Sequence, residues 1–390
     1  MPWKETYVMD EKTKFIARLL EGEMMTHLCE EYGISRKTGY KIWNRYQQVG
    51  ARAMMDRSRK PHRFSNQLPE QIERTIVKLK KEKPQWGAAK IRELLVRKFP
   101  HLHHPAVSTV HATLDRHGLV NCRKRRSRAK LEGTALGSSV APNDIWCVDF
   151  KGEFMLGDRR YCYPLTISDH ASRYLLTVEG LESVREDLAM PVFEQTFEEY
   201  GLPRAIRSDN GVPFAAPNGL FGLSRMSVWW LRLGIGIERI KPGHPEQNGR
   251  HERMHRTLKA ATVKPAGANF LQQQGKFDEF REEYNCERPH QALGMKMPRE
   301  IYVHSKRRYE GVKPIEYPLH DKTITVTTCG RICHKGLKVS FSSVFRGQDV
   351  GICEVDDELW QVSFMNYELG FFDERSGRFE PGANPFASKL

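Results

Sequence analysis

Three acidic residues lie where their carboxylates can meet in one site. Asp149 is inside the apolar run WCVDF, where an unpaired charge is costly. Asp209 directly follows the strand-like run RAIRS, at the kind of loop where α/β proteins form ligand sites. Glu252 lies early in a helix that we expect to begin after a turn at 245–249. If two strands and a helix bring these carboxylates together, their oxygens can hold Mg²⁺ or Mn²⁺.

Such an arrangement predicts phosphoryl-transfer chemistry. Two divalent ions about 3.5–4 Å apart can deprotonate a nucleophile and stabilise the leaving oxygen. Taken singly, Asp149 is better explained as a paired structural carboxylate, and the SDNG segment around Asp209 as a turn. The hypothesis therefore depends on the three residues in combination.

The helix that contains Glu252 also fits a second kind of chemistry. Residues 251–255 read His-Glu-Arg-Met-His, the HExxH pattern in which two histidines bind zinc and Glu252 is the general base of a metalloprotease. No HExxHxxGxxH extension follows, and RHERMHRTLK is charged throughout, whereas a zinc-protease helix lies in apolar surroundings. Zinc bound stoichiometrically, and lost in a His251→Ala, His255→Ala double variant, would favour the protease.

The positive charge of the chain is concentrated in its first third. The net charge is +14 over 390 residues. Residues 1–130 contain 29 Lys and Arg against 13 Asp and Glu, whereas residues 131–390 contain 33 against 35. A basic arm joined to a neutral working domain is typical of nucleic-acid-binding enzymes. Solvated surface charge alone does not predict this segregation.

Several other classes of protein are not supported by the sequence. No apolar run approaches the roughly 20 residues that cross a bilayer, and the N-terminus, MPWKETYVMDEKTK, has no signal-peptide core. The eight cysteines contain no CxxC pair, so we expect reduced structural thiols. No GxxxxGK(S/T) phosphate loop occurs. We therefore expect a soluble intracellular protein without a membrane segment.

A helix-turn-helix pattern opens the chain. Apolar spacing predicts helices over 10–22, 25–32 and 36–48. Leu20 and Tyr40 are among the side chains expected to pack inside, while Gly33 suits the turn and Ser35 the N-cap of the third helix. That helix opens with donors that can meet base edges and phosphates, namely Arg36, Lys37, Thr38 and Lys41.

A basic connector and a second helical block follow. In the connector, Arg57, Arg59 and Lys60 either track phosphates or are simply solvated. The second block is predicted over 69–83, 87–98 and 106–117, with Ser108 as a cap. This pattern indicates a second helix-turn-helix, with or without a wing. A basic run marks its boundary, at Arg123, Lys124, Arg125 and Arg126.

The rest of the chain changes from helical to β-rich sequence. From Asp144, β-rich runs alternate with an amphipathic helix over 184–200 and with the short strand before Asp209. Strands that alternate with helices predict an α/β domain over 143–310. Beyond 320, short strands at close spacing, such as TITVTTCGRI and ELWQVSF, predict a small β-barrel.

Several spaced motifs resemble the retroviral-integrase-like core of bacterial insertion-sequence transposases. These motifs are WCVDF, ISDHASRY, SDNGVPF, HPEQNGRHER and YNCERPHQALGMKMPREIY. With the flanking helices and barrel, the resemblance covers nearly the whole chain. It implies an RNase-H-like core that carries an Asp-Asp-Glu triad. In that family the Glu closes a Pro-x-x-Asn-Gly-x-x-Glu-Arg segment, so the resemblance assigns the triad to Asp149, Asp209 and Glu252.

The chain departs from the family pattern at two points. The interval between Asp209 and Glu252 holds 42 residues, more than in many relatives, and we expect the surplus in a loop over 215–227. Glu246 stands where the family usually has a neutral residue. It therefore competes with Glu252 for the third position, which makes Glu252 the least secure member of the triad.

The resemblance implies a DDE transposase. Such an enzyme binds the terminal inverted repeats of a mobile element, cleaves the ends and joins the 3′-hydroxyl to target DNA with two Mg²⁺ or Mn²⁺ ions. Its partners would be double-stranded DNA, both element ends and target, and at least one further copy of the chain. Arg256 and Lys259, at i+4 and i+7 from Glu252, would point at the scissile phosphate or form a solvated basic face. The protein would be cytoplasmic and nucleoid-associated.

A non-catalytic DNA-binding regulator with an integrase-like fold is the remaining alternative. The complete Asp-Asp-Glu set argues against it, because loss of function usually leaves gaps in a triad. Absence of Mg²⁺-dependent nicking on DNA ends that carry the protein's own recognition sequence would favour the regulator.

These observations predict a multidomain protein with N-terminal all-α helix-turn-helix modules, a central α/β RNase-H-like core and a C-terminal small β-barrel. The predicted boundaries are 1–55 for the first helix-turn-helix, 56–68 for a basic linker, 69–122 for the second helix-turn-helix, 123–142 for a basic, flexible linker, 143–310 for the core, 311–378 for the barrel and 379–390 for a tail.

Overall fold

The computed structural model describes residues 8–55, 68–102, 104–120, 139–240 and 248–386. The chain divides into two compact units, Met1–Glu70 and Gln71–Leu390. Among the described residues, no helix is both long enough and apolar enough to cross a membrane.

The first unit is a bundle of three helices around a small apolar core. The helices are α1 (Val8–Leu20), α2 (Met25–Glu31) and α3 (Arg36–Val49). Gly33 takes the positive φ of 61° that the turn between α2 and α3 needs. The backbone N–H of Thr38 donates to Ser35 Oγ at 3.2 Å, which caps α3. The predicted helix-turn-helix region is present.

Helix α3 turns a different face to the core than predicted. Tyr40 and Leu20 were expected inside, and both are exposed. On α3, Gly39 is buried instead of Tyr40. A Cβ on Gly39 would lie 2.5 Å from Cys29 Sγ of α2. The missing side chain lets α2 and α3 approach closely, so α3 rotates Gly39 and Trp43 inward and Tyr40 outward.

The second helical block belongs to the second unit. Its helices are α4 (Glu70–Glu82), α5 (Ala88–Lys98) and α6 (Val107–Arg116). Ser108 was expected to cap the last of these, and this was wrong. Helix α6 already begins at Val107, so Ala106 is the N-cap and no side chain caps the helix.

Ion pairs hold this helical block against the segment that follows the central domain's last helix. Arg97 Nη1 lies 2.7 Å from Glu300 Oε1. Lys83 Nζ lies 3.0 Å from Glu283 Oε2 and 2.7 Å from Glu287 Oε2. Helices α4–α6 and the central domain are therefore in direct contact within this unit. The predicted domain boundaries stay a prediction.

The centre of the second unit is a mixed β-sheet. Its strands are β1 (Ile145–Phe150), β2 (Phe154–Met155), β3 (Tyr161–Asp169), β4 (Leu175–Leu181), β5 (Ala205–Ser208) and β6 (Gly236–Arg239). Strand β3 pairs antiparallel with β1, β2 and β4. On the other side, β1 pairs parallel with β5, and β5 pairs parallel with β6.

Helices cover both faces of this sheet. They are α7 (Glu186–Tyr200), α8 (Arg225–Arg232), α9 (Gly249–Thr262) and α10 (Phe270–Glu282). One face of the sheet, with Trp146 and Val148, packs on Phe193 of α7 and Trp230 of α8. The opposite face packs on α9 and α10 through a second apolar cluster that includes Leu258. This layering explains why β1 reads as an almost continuous apolar run.

Seven short strands form the C-terminal region. They are β7 (Lys322–Thr325), β8 (Arg331–His334), β9 (Leu337–Ser340), β10 (Asp349–Asp356), β11 (Leu359–Phe364), β12 (Tyr367–Asp373) and β13 (Arg378–Pro381). Their order is β7-β10-β11-β12-β13-β9-β8, and the end strands β7 and β8 lie next to each other. The sheet is therefore a nearly closed, barrel-like structure.

The surplus segment 215–227 is not a free loop. A β-bridge joins Ala215 to Leu223, and a short 3₁₀ turn spans Leu220–Gly222. Leu223 is fully buried in the apolar cluster of the barrel, together with Leu231 of α8. The extra residues thus attach the barrel to the central domain.

Candidate active site

Strand alternation sets the direction of Asp149. Successive side chains of a strand point to opposite faces of the sheet, so Trp146 and Val148 face α7 and Asp149 faces α9. In the register of β1 and β3, Asp149 pairs with Thr166. The α9 face at this point therefore presents Asp149, Thr166 and, two residues on, Ser168. The side chain of Asp149 is 22% exposed, which leaves its carboxylate half-buried.

Asp209 begins a tight turn at the end of the neighbouring parallel strand. The N–H of Gly211 donates to Asp209 Oδ1 at 3.1 Å. A Cβ on Gly211 would lie 3.0 Å from Asp209 Oδ2, so glycine lets the turn close beneath the carboxylate. Asn210 Nδ2 donates to the carbonyl of Ile240 at 2.8 Å, which ties the turn to the end of β6.

Glu252 lies in the first turn of α9 and is exposed. Below it on the helix, His251, His255 and Leu258 are buried against the sheet. The burial of that stripe leaves Glu252 at the edge of the helix. Glu246, its competitor from the sequence, lies outside the described residues.

The negative charges of Asp209 and Glu252 both act on the carboxyl of Asp149. Burial raises the pKa of the Asp149 carboxyl to about 7, and the next cause is the negative charge of Asp209. The charge of Glu252 raises the same pKa further. Asp209 and Glu252 are therefore both within electrostatic reach of Asp149. Among the described residues, no Lys or Arg forms an ion pair with any of them.

Two histidines of the HExxH segment lie beside Asp149. His251 Nε2 and His255 Nε2 each lie 2.7 Å from Thr166 Oγ1. Thr166 Oγ1 in turn donates to the carbonyl oxygen of Asp149 at 3.0 Å, and Ser168 Oγ lies 2.9 Å from His251 Nδ1. Burial lowers the pKa of His251 to about 3 and that of His255 to about 2. Both imidazoles are therefore neutral in this network.

The hydrogen bonds of Thr166 assign the tautomers. A hydroxyl has one proton, and the Thr166 proton goes to the Asp149 carbonyl, so both imidazoles donate from Nε2. His255 Nδ1 is then unprotonated, and it lies 3.7 Å from Asp149 Oδ2. His255 Nδ1 therefore has no proton to donate to Asp149, and at this distance the two atoms are not hydrogen-bonded.

The donor set fits a divalent cation. Three carboxylates supply the hard oxygen ligands that Mg²⁺ and Mn²⁺ prefer. The unprotonated His255 Nδ1 faces Asp149, and the ligand atoms of Asp149, His251 and His255 lie within 4.8 Å of one another. Since the carboxylates carry no ion-paired Lys or Arg in the described part of the chain, a cation would relieve their mutual repulsion.

Basic residues flank the acids. Arg256 and Lys259 are exposed and continue the stripe of α9 that carries Glu252. Lys151, which directly follows β1, is close enough to Lys259 and Asp149 for both charges to act on it; burial, followed by Lys259, lowers the pKa of Lys151. Positive charge therefore adjoins the carboxylates without pairing with them.

The other predicted DNA-binding residues lie elsewhere in the chain. The described ones, on α3 of the first unit, are all exposed: Arg36, Lys37, Thr38 and Lys41. Those in the two basic segments lie outside the described residues: Arg57, Arg59, Lys60, Arg123, Lys124, Arg125 and Arg126.

Sequence reasoning missed Thr166 and Lys151 as neighbours of the acids, and it considered His255 only as a zinc ligand in the HExxH pattern. Strand alternation could have found Lys151, since it lies two residues after Asp149 and such residues share a face of a strand. Thr166 could not be found, because its position depends on the register of β1 and β3, which the sequence does not state.

Three domain descriptions match segments of the chain. A helix-turn-helix domain matches residues 11–62, a homeodomain-like domain residues 38–114, and an integrase core domain residues 233–298. The integrase core match contains Glu252, whereas Asp149 and Asp209 precede it. Segments of this chain are therefore similar to an integrase core domain and to helix-turn-helix domains.

Proteins of insertion elements are similar to this chain. An uncharacterized 39.2 kDa protein of insertion element IS476 from Xanthomonas euvesicatoria is 26% identical over 58% of the chain and 63% of its own length. The chain thus spans less than two thirds of that relative. A 31.7 kDa protein of insertion element IS407 from Burkholderia multivorans is 23% identical over 58% of the chain and 78% of its own length. These matches confirm the predicted resemblance to insertion-sequence transposases with an integrase-like core.

Viral integrases appear among the similar solved structures. The simian T-cell lymphotropic virus intasome in complex with PP2A regulatory subunit B56 gamma covers 75% of this chain and 97% of its own, at 15% identity and a TM-score of 0.38. The HTLV-2 integrase catalytic core domain in complex with magnesium covers 43% of this chain and 100% of its own, at 16% identity and a TM-score of 0.34.

Proposed function

We propose that this chain is a DNA transposase of the Asp-Asp-Glu type with an RNase-H-like core. The observation that carries the proposal is that Asp149 faces α9 and that the charges of Asp209 and Glu252 both act on its carboxyl. Three antiparallel strands, β4, β3 and β1, continued by the parallel strands β5 and β6, support the assignment of the fold. The integrase core match and the insertion-element relatives support polynucleotidyl transfer as the reaction class.

In this proposal Asp149, Asp209 and Glu252 hold two Mg²⁺ or Mn²⁺ ions. When bound, such ions would supply Lewis acidity for phosphoryl transfer. The HTLV-2 integrase core is itself in complex with magnesium. For this chain, the three carboxylates support Mg²⁺ or Mn²⁺, because these ions prefer carboxylate oxygens as ligands.

The protein's own contribution is to fix the carboxylates before DNA arrives. The buried strand β1 holds Asp149, and the closed turn at Gly211 holds Asp209, so neither has to be ordered during the reaction. Thr166 binds both histidines of α9, which positions that helix and with it Glu252. Lys151 and Lys259 place positive charge where the scissile phosphate would lie.

The first reaction would be hydrolysis at the element end, and the second an attack by the freed 3′-hydroxyl on target DNA. Asp149, Asp209 and Glu252 serve both, because each reaction displaces an oxygen at phosphorus. The helix-turn-helix domains would bind the terminal repeats, with Arg36, Lys37, Thr38 and Lys41 at the DNA. Two ends have to meet, so the working form would contain at least two copies of the chain on DNA, in the cytoplasm at the nucleoid.

The proposal is tested with Mg²⁺ and duplexes that carry the element ends flanking the protein's own gene. Nicks and joints are measured on denaturing gels, and end binding by gel shift. Glu252→Gln should lower joining by on the order of 10³-fold or more, the loss expected when an electrostatic partner of the transferring phosphoryl group is removed. End binding should not change. Glu279→Gln, an exposed acid of α10, is the matched control.

The same assay separates the alternatives. Wild-type joining by Glu252→Gln together with loss of joining in Glu246→Gln would assign the third position to Glu246. Absence of any Mg²⁺-dependent nicking by the wild type would favour a regulator that binds DNA without cutting it. Stoichiometric zinc, lost in the His251→Ala, His255→Ala variant, would favour the protease hypothesis, although Nε2 of both histidines is occupied by Thr166.

A further inference from the structure

A cavity of about 340 Å³ lies on another side of α9, outside the carboxylate site. This volume is within the range of about 300–1,000 Å³ that ligand-binding clefts occupy. Six of its lining side chains are basic: Lys90, Arg173, Arg250, Arg253, Arg288 and His290. No acidic side chain lines it among the described residues. The basic residues come from four separate parts of the chain, so local sequence alone does not explain their gathering.

The floor of this cationic cavity is buried and lacks partners. His290 is 8% exposed, and its Nε2 atom has no hydrogen-bond partner. Arg173 Nε is also buried without a partner. Arg173 has a positive φ of 63°, in a turn where Asp169 Oδ2 accepts from the N–H and the hydroxyl of Ser172. A non-glycine residue in this conformation costs free energy that a functional site can justify.

The positive charges in the cavity repel one another, and this repulsion affects the pKa of Lys90. Burial, followed by the charges of Arg288 and Arg173, lowers the pKa of Lys90 to about 7. The other titratable groups that face Lys90 do not change charge near neutral pH. Burial lowers the pKa of His290 to about 3, and burial raises the pKa of Tyr284 above its ordinary value. Burial lowers the pKa of Arg173 and that of Arg288, and a guanidinium nevertheless keeps its proton near neutral pH. An anion in the cavity would relieve this repulsion.

We infer that the cationic cavity binds a phosphate group of a DNA backbone, beside the carboxylate site and distinct from it. Arg250 and Arg253 are exposed and form its rim, and in sequence they stand on either side of Glu252. Lys90 comes from α5 of the second helical block, and Arg288 and His290 from the segment after α10. A DNA strand at the carboxylates therefore has a buried phosphate site within reach on the same helix. The identity of the ligand as DNA depends on the proposed function.

The position of Lys90 is fixed by contacts outside the cavity. The pairs of Lys83 with Glu283 and Glu287, and of Arg97 with Glu300, hold the helices around Lys90 onto the segment that carries Arg288. Phosphate contacts position a nucleic acid and do not read its sequence. The cavity would therefore bind element ends and unrelated duplex DNA alike.

Sulfate is the direct probe, because its charge does not change between pH 6 and 9. At constant ionic strength, sulfate should bind the wild-type chain saturably in calorimetry and more weakly as Lys90 loses its proton above pH 7. Lys90→Gln should bind sulfate roughly tenfold more weakly, the loss of one charge-assisted hydrogen bond. Lys90→Arg should bind it with no dependence on pH. Lys98→Gln, an exposed lysine of α5, should bind it as the wild type does.

A second set of experiments, with duplex DNA, tests whether the bound anion is a phosphate of DNA. Duplex DNA should displace sulfate, and Lys90→Gln should weaken duplex binding with a smaller salt dependence. Equal sulfate binding by the wild type and by folded Lys90→Gln would overturn the inference. So would sulfate binding that DNA does not displace, or displacement by RNA duplexes alone. Failure of strand joining with both arms intact would reject the transposase proposal and leave the cavity as a DNA site.

Discussion

Two clusters of like charge adjoin helix α9, and neither is neutralised by ion pairs among the described residues. On one side Asp209 and Glu252 lie within electrostatic reach of Asp149. On another side Arg250 and Arg253 join the cationic cavity. Elsewhere in the same unit opposite charges are paired, as in Arg97 with Glu300. This fold therefore pairs charges where they hold elements together and leaves them unpaired where ligands of opposite charge can enter.

The largest expected difference is that substitutions in the acidic cluster lower the rate of strand joining, whereas substitutions in the cationic cavity lower the affinity for DNA. Asp149→Asn should lower strand joining by on the order of 10³-fold or more and leave DNA binding unchanged, since it removes a group that acts on the reacting phosphate. Lys90→Gln should weaken DNA binding and leave the single-turnover joining rate at saturating DNA near that of the wild type. Gel shift and single-turnover joining measure the two. A matching loss of rate in Lys90→Gln would merge the two clusters into one site.

The sequence predicted the acidic cluster far better than the cationic one. Asp149, Asp209 and Glu252 each belong to a local motif, and a short motif is visible without knowing the fold. Lys90 and Arg173 belong to none, and they meet Arg288 only because the second helical block docks on the segment after α10. Arg288 and His290 stand in the predicted closing segment, but nothing there shows that their side chains share a cavity.

The fold, too, was predictable where a local pattern defines an element and was missed where packing decides the structure. Helical periodicity gave the elements of the first unit, because each helix buries one apolar stripe. The prediction that Tyr40 is buried was wrong. Helical periodicity considers only where apolar side chains fall, and it does not show that two helices can approach closely at Gly39. The packing of Leu223 under the barrel was missed for a related reason: a segment rich in Gly, Pro and Ser is typical of a loop.

Divalent metal ions should stabilise the folded protein by binding at the acidic cluster and not at the cationic cavity. At a Mg²⁺ concentration about 100 times its dissociation constant, the free energy of unfolding should rise by about 2.7 kcal/mol. Asp209→Asn should lose this rise and be more stable than the wild type without metal, because one of three repelling charges is gone. Denaturant titrations with Mg²⁺ or with EDTA measure both effects. An equal rise with Mg²⁺ in Asp209→Asn would remove that residue from the metal site.

The support under the acidic cluster should matter as well. Thr166 is fully buried, and Thr166→Val would leave Nε2 of His251 and His255 without an acceptor. We expect a loss of about 1–3 kcal/mol in the free energy of unfolding, the cost of unsatisfied buried donors. Thr177→Val is the control, because Thr177 bonds one side chain, Thr196, in a half-buried place. A loss no larger than that of the control would mean that the histidines find other partners.

The smallest effect compares two exposed arginines of α9. Arg253 lies at the rim of the cationic cavity, and Arg256 lies on the stripe of Glu252. Replacing either by Gln should reduce the slope of log affinity against log salt by about 1, the share of a single phosphate contact. With sulfate present the two should separate, because sulfate already occupies the cavity and leaves Arg253 little to contribute. Arg256→Gln should weaken DNA binding as much with sulfate as without it. If sulfate erased both losses equally, the two sides of α9 would form one continuous electrostatic surface, and the distinction between them would be one of chemistry at the carboxylates alone.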